Sequence, residues 1–221
     1  MSIVNLPIGY HWEVRTPVVD RVIRREYVDA FFQDGSLRLS SFEAFCRHPD
    51  EARRDVEEGK AAMQIASPGG NLSAITFNGQ EAYVLCGSMA ESHPGEDMAT
   101  LRIMDTLAFS TTVARQIPGF IGGGEGPCIY RANTLYEATE RHRFGPPGKD
   151  KDPEDWMNKQ QAIIGNHMRN KFFIKHARFA HELEYRMIWF CDGPPRDSIH
   201  IKCPGAIRFW QRVDMRPTVG D

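Results

Sequence analysis

Polar and apolar residues alternate near the start of the chain. Tyr10, Trp12 and Val14 interleave with His11, Glu13 and Arg15, and this period of two predicts a first strand over residues 8–16. Pro17 ends that strand and suits the first position of a helix. Val18, Val22, Tyr27, Ala30 and Phe31 then fall at helical spacing, so a helix is expected over residues 18–32. Asp34-Gly35 closes it, and residues 36–40 alternate as a short strand. A charge-rich stretch at 48–63 reads as a mostly exposed helix, and residues 67–71 as a turn. Strands are expected at 73–77 and 82–86, and a helix near 99–116. The glycine-rich run 119–126 reads as a loop, residues 127–131 as a strand, and the stretch to about 142 as a helix. After a Pro/Gly/charge-rich loop at 145–153, a helix is expected at 154–170. Three strands follow, one with Glu182 and Glu184 at its mouth, one at 198–202 and one near 206–213.

Short strands interleaved with helices, without strict alternation, predict an α+β fold in one domain spanning residues 1–221. A content of 41% hydrophobic and 25% charged residues is that of an ordinary globular chain. The net charge of −2 supplies no global attraction to nucleic acid or to an anionic membrane, so any such contact must be local. No apolar run reaches the length of a membrane span, and residues 1–7 lack a signal peptide's basic start and apolar stretch. The five cysteines are odd in number, scattered and without a CxxC pair, which fits buried thiols in a reduced, cytoplasmic protein better than a disulfide framework or a zinc ribbon. Gly122-Gly123-Gly124 is not followed by Gly-Lys-Ser/Thr, so a phosphate cradle is poorly supported.

The chemistry concentrates in residues 175–190. Glu182 and Glu184 run directly into the apolar, aromatic stretch Tyr185-Arg186-Met187-Ile188-Trp189-Phe190. On a strand, Glu182, Glu184 and Arg186 would share one face; on a helix the two glutamates would point apart. A fixed carboxylate pair suits glycosyl transfer, in which one carboxylate stabilises an oxocarbenium-like centre and another manages a proton. When the leaving group is the nicotinamide of NAD, the departing base is already cationic and needs no acid.

The string Phe179-Ala180-His181-Glu182-Leu183-Glu184-Tyr185-Arg186 resembles the E-x-E-Y-R signature of a large bacterial family, in which a lysine and an aromatic precede the glutamates as Lys175 and Phe179 do here. The segment Asp34–Phe42, with the acidic stretch ending Glu57-Glu58-Gly59, and the string Val84-Leu85-Cys86-Gly87-Ser88 are also similar to that family. Both resemble ADP-ribosyltransferases, including toxins that modify nucleic acid. The resemblance implies two small packed β-sheets with flanking helices and NAD as substrate. It implies Glu184 as the catalytic carboxylate and Glu182 as its helper toward the acceptor. Residues His11 or Arg15, Ser40, Ser41, Arg54 (or its neighbour Arg53) and Arg186 would contact NAD. It also implies a toxin or anti-phage role, with a neutralising antitoxin protein as partner. Two departures stand: there is no clean Ser-Thr-Ser, Ser110-Thr111-Thr112 being read as helical, and the first-strand assignment is ambiguous.

Other readings stay open beside this one. The glutamates can equally pair with Lys175, Arg178 or Arg186 as an ordinary surface network. Arg169, Lys171, Lys175 and Arg178, interleaved with Phe172, Phe173 and Phe179, fit either an RNA or DNA strand or an amphipathic segment with its cations outside. His176 and His181 lack the spacing of a His-Glu-x-x-His metal site. The rivals to the transferase are a nuclease or hydrolase placing Asp55, Glu58, Glu182 and Glu184 around Mg²⁺, and a non-catalytic nucleic-acid or protein binding module of the same fold.

Overall fold

The computed structural model describes residues 17–47, 59, 82–90, 94–132, 152, 154–155, 158, 170–193 and 196–213 with their side chains. Strands β1 (Ser2–Asn5), β2 (His11–Val14), β5 (Lys60–Ala66) and β6 (Leu72–Asn78) are described as backbone. The fold is α+β, dominated by one large antiparallel sheet with few helices. That eight-stranded sheet joins β3 (Val19–Arg24), β4 (Ser36–Ser41), β7 (Ala82–Ser88), β8 (Met98–Ile103), β9 (Phe120–Pro127), β12 (Glu184–Cys191), β13 (Ser198–Lys202) and β14 (Trp210–Val213). The α+β class is as expected from the sequence, whereas one large sheet stands where the resemblance implies two small packed ones. Separate pairs are formed by β1 with β2, by β5 with β6, and by the parallel strands β10 (Ile129–Arg131) and β11 (Ile174–His176).

The large sheet forks at β7. One edge of β7 pairs along its length with β12, from Ser88 opposite Glu184 to Ala82 opposite Phe190. Its other edge is shared: Ser88 pairs with Asp20 of β3, whereas Val84 and Tyr83 pair with Ser40 and Ser41 of β4. Between these contacts β3 leaves β7 and continues against β8 alone. Gly87 permits the close crossing at the fork, since a Cβ there would lie 2.3 Å from Val19 Cγ1 and 2.9 Å from the Asp20 carbonyl oxygen.

Each face of the sheet buries its own cluster. Tyr185, Met187 and Trp189 of β12 join Leu39, Leu85, Leu101, Ile103 and Trp210 beneath helices α1 (Arg25–Asp34) and α3 (Thr106–Ala114), which contribute Phe31 and Phe109. The opposite face gathers Ile188, Val84, Ala82, Phe42 and Phe172. Glu184 and Arg186 belong by alternation to this second face.

Several elements differ from the sequence expectation, each for a physical reason. The helix expected over 18–32 is strand β3 followed by α1. Val19, Val22 and Ile23 are β-branched and favour a pleated surface, and pairing with β8 settles the matter. The helix expected from 99 begins only at Thr106, where the Asp105 carboxylate accepts the Ala108 amide at 2.9 Å; Met98–Ile103 is held as a strand from both sides by β3 and β14. The glycine loop is strand β9, paired with β12. The Phe173 ring packs beside it, 3.5 Å from where a Gly126 Cβ would sit. Residues 60–66 are a strand, not the end of a helix, and 204–209 form a 3₁₀ helix ahead of β14. The expected elements at 48–58, 67–71, 133–151 and 159–169 lie outside the described residues. Gly35 closes α1 as foreseen, in the left-handed conformation at φ 77°, its amide donating to Phe31 O at 2.8 Å.

Candidate functional site

The two glutamates do not share a strand. Glu182 ends a 3₁₀ helix (Ala177–Glu182), and Leu183, left-handed at φ 41°, turns the chain so that β12 begins at Glu184. A left-handed leucine is uncommon and costs backbone strain of about 1–3 kcal/mol. What reunites the carboxylates is Lys175 on β11. Its Nζ reaches Glu182 Oε2 at 2.5 Å and also donates to Glu184 Oε2. Arg186 Nε donates to the other oxygen, Glu184 Oε1, at 2.5 Å, while Arg186 Nη1 donates to the Phe172 carbonyl at 2.7 Å. The Cys128 thiol lies 3.6 Å from the same Oε1.

Burial differs sharply within the group. Arg186 is fully buried and the Glu184 side chain is 8% exposed, whereas that of Glu182 is 36% exposed. Burial pushes the Glu184 carboxyl up, but the charges and hydrogen bonds of Arg186 and Lys175 more than offset this and hold it well below the usual carboxylate range. Glu184 is therefore a permanent anion. It can stabilise positive charge or accept hydrogen bonds, and it is poorly suited to exchanging protons near neutrality.

The backbone around Glu184 is equally fixed. Its carbonyl accepts the Cys128 amide at 2.8 Å, and its own N–H donates to the Tyr130 hydroxyl at 2.7 Å. Burial raises the Tyr130 phenol to about 12. Ser88 Oγ donates to the Glu182 carbonyl at 2.8 Å, and the Met89 amide to the Leu183 carbonyl at 3.0 Å.

An open cleft of about 460 Å³ lies at the fork, within the usual range of about 300–1,000 Å³ for small-molecule sites. Its chemistry comes from Glu184, Glu182, Ser88, Ser40 and Arg21, with Val22, Phe45, Val84 and Cys86 among the apolar walls. Arg21 is the residue that the sequence did not reveal. Read as helical, it had no place in a site; as part of β3 it stands where the sheet opens. One of its guanidinium nitrogens is shielded from solvent and has no hydrogen-bond partner. Burial pushes its pKa down, opposed by the Cys86 thiol beside it. Nearby Asp20 is occupied, accepting from Arg102 Nε at 2.7 Å and Nη2 at 2.8 Å. Val19, Val22 and Ile23, β-branched at three of the five positions 19–23, were the available signal for a strand here.

Of the residues picked from sequence, Ser40, Glu182 and Glu184 come together in the cleft. Ser41 does not: it is buried and caps the short helix α2 (Phe42–Cys46), accepting the Ala44 amide at 3.3 Å. Arg186 serves Glu184 and not a ligand, since it is fully enclosed. Lys171 and Lys175 are 1% and 8% exposed, which removes both from an exposed nucleic-acid surface; Lys175 belongs to the glutamates. Arg178 is exposed and lies over the Phe179 ring at 4.5 Å. Arg15, Arg53, Arg54, Asp55, Glu58 and Arg169 lie outside the described residues, and His11 is described only as backbone of β2. Among the described residues no three His, Cys, Asp or Glu side chains gather as a metal site, and no helix is long and apolar enough to cross a membrane.

No family model, curated protein or solved structure matches this chain.

Proposed function

We propose that the chain is an NAD-dependent ADP-ribosyltransferase acting on a macromolecular acceptor. The supporting observation is that Glu184, kept anionic by two cations, lines the same cleft as Arg21, one of whose guanidinium nitrogens has no hydrogen-bond partner. A dinucleotide carries both groups this pair would meet, an anionic pyrophosphate and a ribose that becomes cationic at C1′. Arg21 takes the phosphate charge and Ser40 a ribose or phosphate oxygen. The bond from C1′ to the nicotinamide nitrogen breaks, and its electron pair leaves with neutral nicotinamide. Glu184 stabilises the ribosyl cation electrostatically. The acceptor's nucleophile then bonds to C1′ and gives its proton to Glu182, the more exposed of the two carboxylates. RNA or DNA remains one acceptor class within this proposal, with Arg178 the exposed cation nearest the glutamates in sequence.

The test is incubation with labelled NAD and separate pools of protein, RNA and DNA, following both nicotinamide release and label transfer. Glu184→Gln removes the charge while keeping the shape. Transfer is expected to fall by about 10²–10³-fold, the usual scale for losing one preorganised stabilising group. Transfer that survives the substitution, or wild-type protein that releases no nicotinamide with any pool, overturns the proposal.

A further inference from the structure

The strand that carries Glu184 loses its regular neighbour at the point where it matters. On one side, the ladder between β12 and β9 ends at Tyr185 opposite Pro127. One residue further, the Cys128 amide still serves the Glu184 carbonyl, at 2.8 Å. The Glu184 N–H, however, meets a side chain in place of a backbone carbonyl, the Tyr130 hydroxyl at 2.7 Å. This N–H sits at the joint where the left-handed Leu183 hands the chain to β12, so its partner anchors the backbone from which the carboxylate extends.

Tyr130 does not stand alone. In the parallel pair of β10 and β11 it is the direct partner of Lys175, whose ammonium donates to the Glu184 carboxylate. One cross-strand pair thus holds the same residue twice, by its backbone through Tyr130 and by its side chain through Lys175. We infer that Tyr130 is a positioning residue that acts with Lys175 as a single grip on Glu184, setting where its carboxylate sits in the cleft. This deepens the proposed transferase reading and rests on it for the catalytic consequence. The grip itself is a statement about geometry and is tested without turnover.

Tyr130→Phe removes only the hydroxyl oxygen. It is expected to lower kcat for nicotinamide release about 10-fold, the scale of a modest misplacement of a catalytic group. The KM for NAD should stay within about twofold, because the groups proposed to bind NAD are untouched. In a Glu184→Gln background the same change should cost nothing further, since there is no charge left to aim; an ordinary packing role would instead lower both backgrounds alike. Lys175→Met, which loosens the other half of the grip, should reproduce the kcat pattern even if Tyr130→Phe folds poorly. Independently of any activity, amide hydrogen exchange at Glu184 should accelerate about 10-fold or more in Tyr130→Phe, as expected when a hydrogen bond holding a local structure is lost.

Unchanged Glu184 exchange overturns the grip whatever the enzyme does. Additive losses with Glu184→Gln, or a change confined to KM, overturn the positioning role. Wild-type protein that exchanges as expected but releases no nicotinamide overturns the NAD reading and leaves the grip standing.

Discussion

Glu184 and Asp34 are both carboxylates held below their ordinary pKa by cations, and the difference between them shows what each is for. Asp34 lies at the end of α1, where its oxygens accept from Ser36 N at 3.0 Å, Ser36 Oγ at 2.5 Å and Lys202 Nζ at 2.7 Å. Its side chain is 39% exposed, so ionisation there costs less and the arrangement closes a helix–strand turn. Glu184 has the same kind of partners in a place where charge is expensive. Burial opposes its ionisation, and two cations, themselves 9% and 0% exposed, are brought in to overcome that. Apolar residues of the same volume would stabilise such a position at least as well. A sequence that buries three charges together, one of them lining an open cleft, with a strained leucine beside them, departs from the rule that cores are apolar, and such departures gather at functional sites.

The largest effect should come from taking one partner away from the buried carboxylate. Arg186→Met leaves Glu184 with Lys175 alone and the Phe172 carbonyl without its donor. We expect a loss of about 3–5 kcal/mol in urea unfolding, typical of breaking one side of a buried ion pair. Replacing both members, Arg186→Met with Glu184→Leu, should recover most of it. If Arg186→Met costs no more than a surface pair, about 0–1 kcal/mol, the contrast with Asp34 fails.

A middle-sized effect separates the cleft from the charges that line it. Gly87→Ala drives a methyl into Val19 and the Asp20 backbone where β3 and β7 cross. Overpacking of this kind costs about 1–3 kcal/mol. The clamp on Glu184 stays intact, so the expected signature is weakened NAD binding in calorimetry with an unchanged Glu184 carboxyl titration. A shifted titration would mean that the fork and the carboxylate are one mechanical unit.

The same contrast explains what was legible in the sequence. Elements with a clean period and a clear stop, such as Ser36–Ser41 after Gly35 or Ser198–Lys202, are where the pattern puts them. Glu184 at the head of an apolar strand was also visible, because Tyr185 to Phe190 can hardly be anything else. Strand β3 was not, because the consecutive charges Asp20 and Arg21 erase its alternation, and the helical reading that followed kept Arg21 out of the site. Strand β9 reads as a loop because its glycines carry no strand pattern, and the β12 partner that makes it a strand is distant in sequence. Lys175 reads both as a nucleic-acid cation and as a surface partner of the glutamates; nothing local tells that the pairing is buried. The fork at β7 depends on pairings between residues far apart in the chain, and no window of sequence contains it.

The smallest effect tests the exposed end of the comparison. Lys202 supplies the main cause of the low Asp34 pKa of about 2, and Ser36 the next. Because this carboxyl is more acidic folded than unfolded, the unfolded chain takes up its proton first as pH falls. Whatever stability Asp34 contributes is therefore complete above its unfolded pKa of about 3.9 and is lost as pH falls toward about 2. Lys202→Ala should move the Asp34 titration upward toward its unfolded value in a carboxyl NMR experiment, yet leave the urea midpoint at pH 7 indistinguishable from wild type, because solvent screens the pair. Glu184 in the same spectra should remain ionised down to the pH at which the protein unfolds. A Glu184 carboxyl that titrates alongside Asp34 would show that water reaches both, and would remove the physical ground for treating the buried one as a permanent anion.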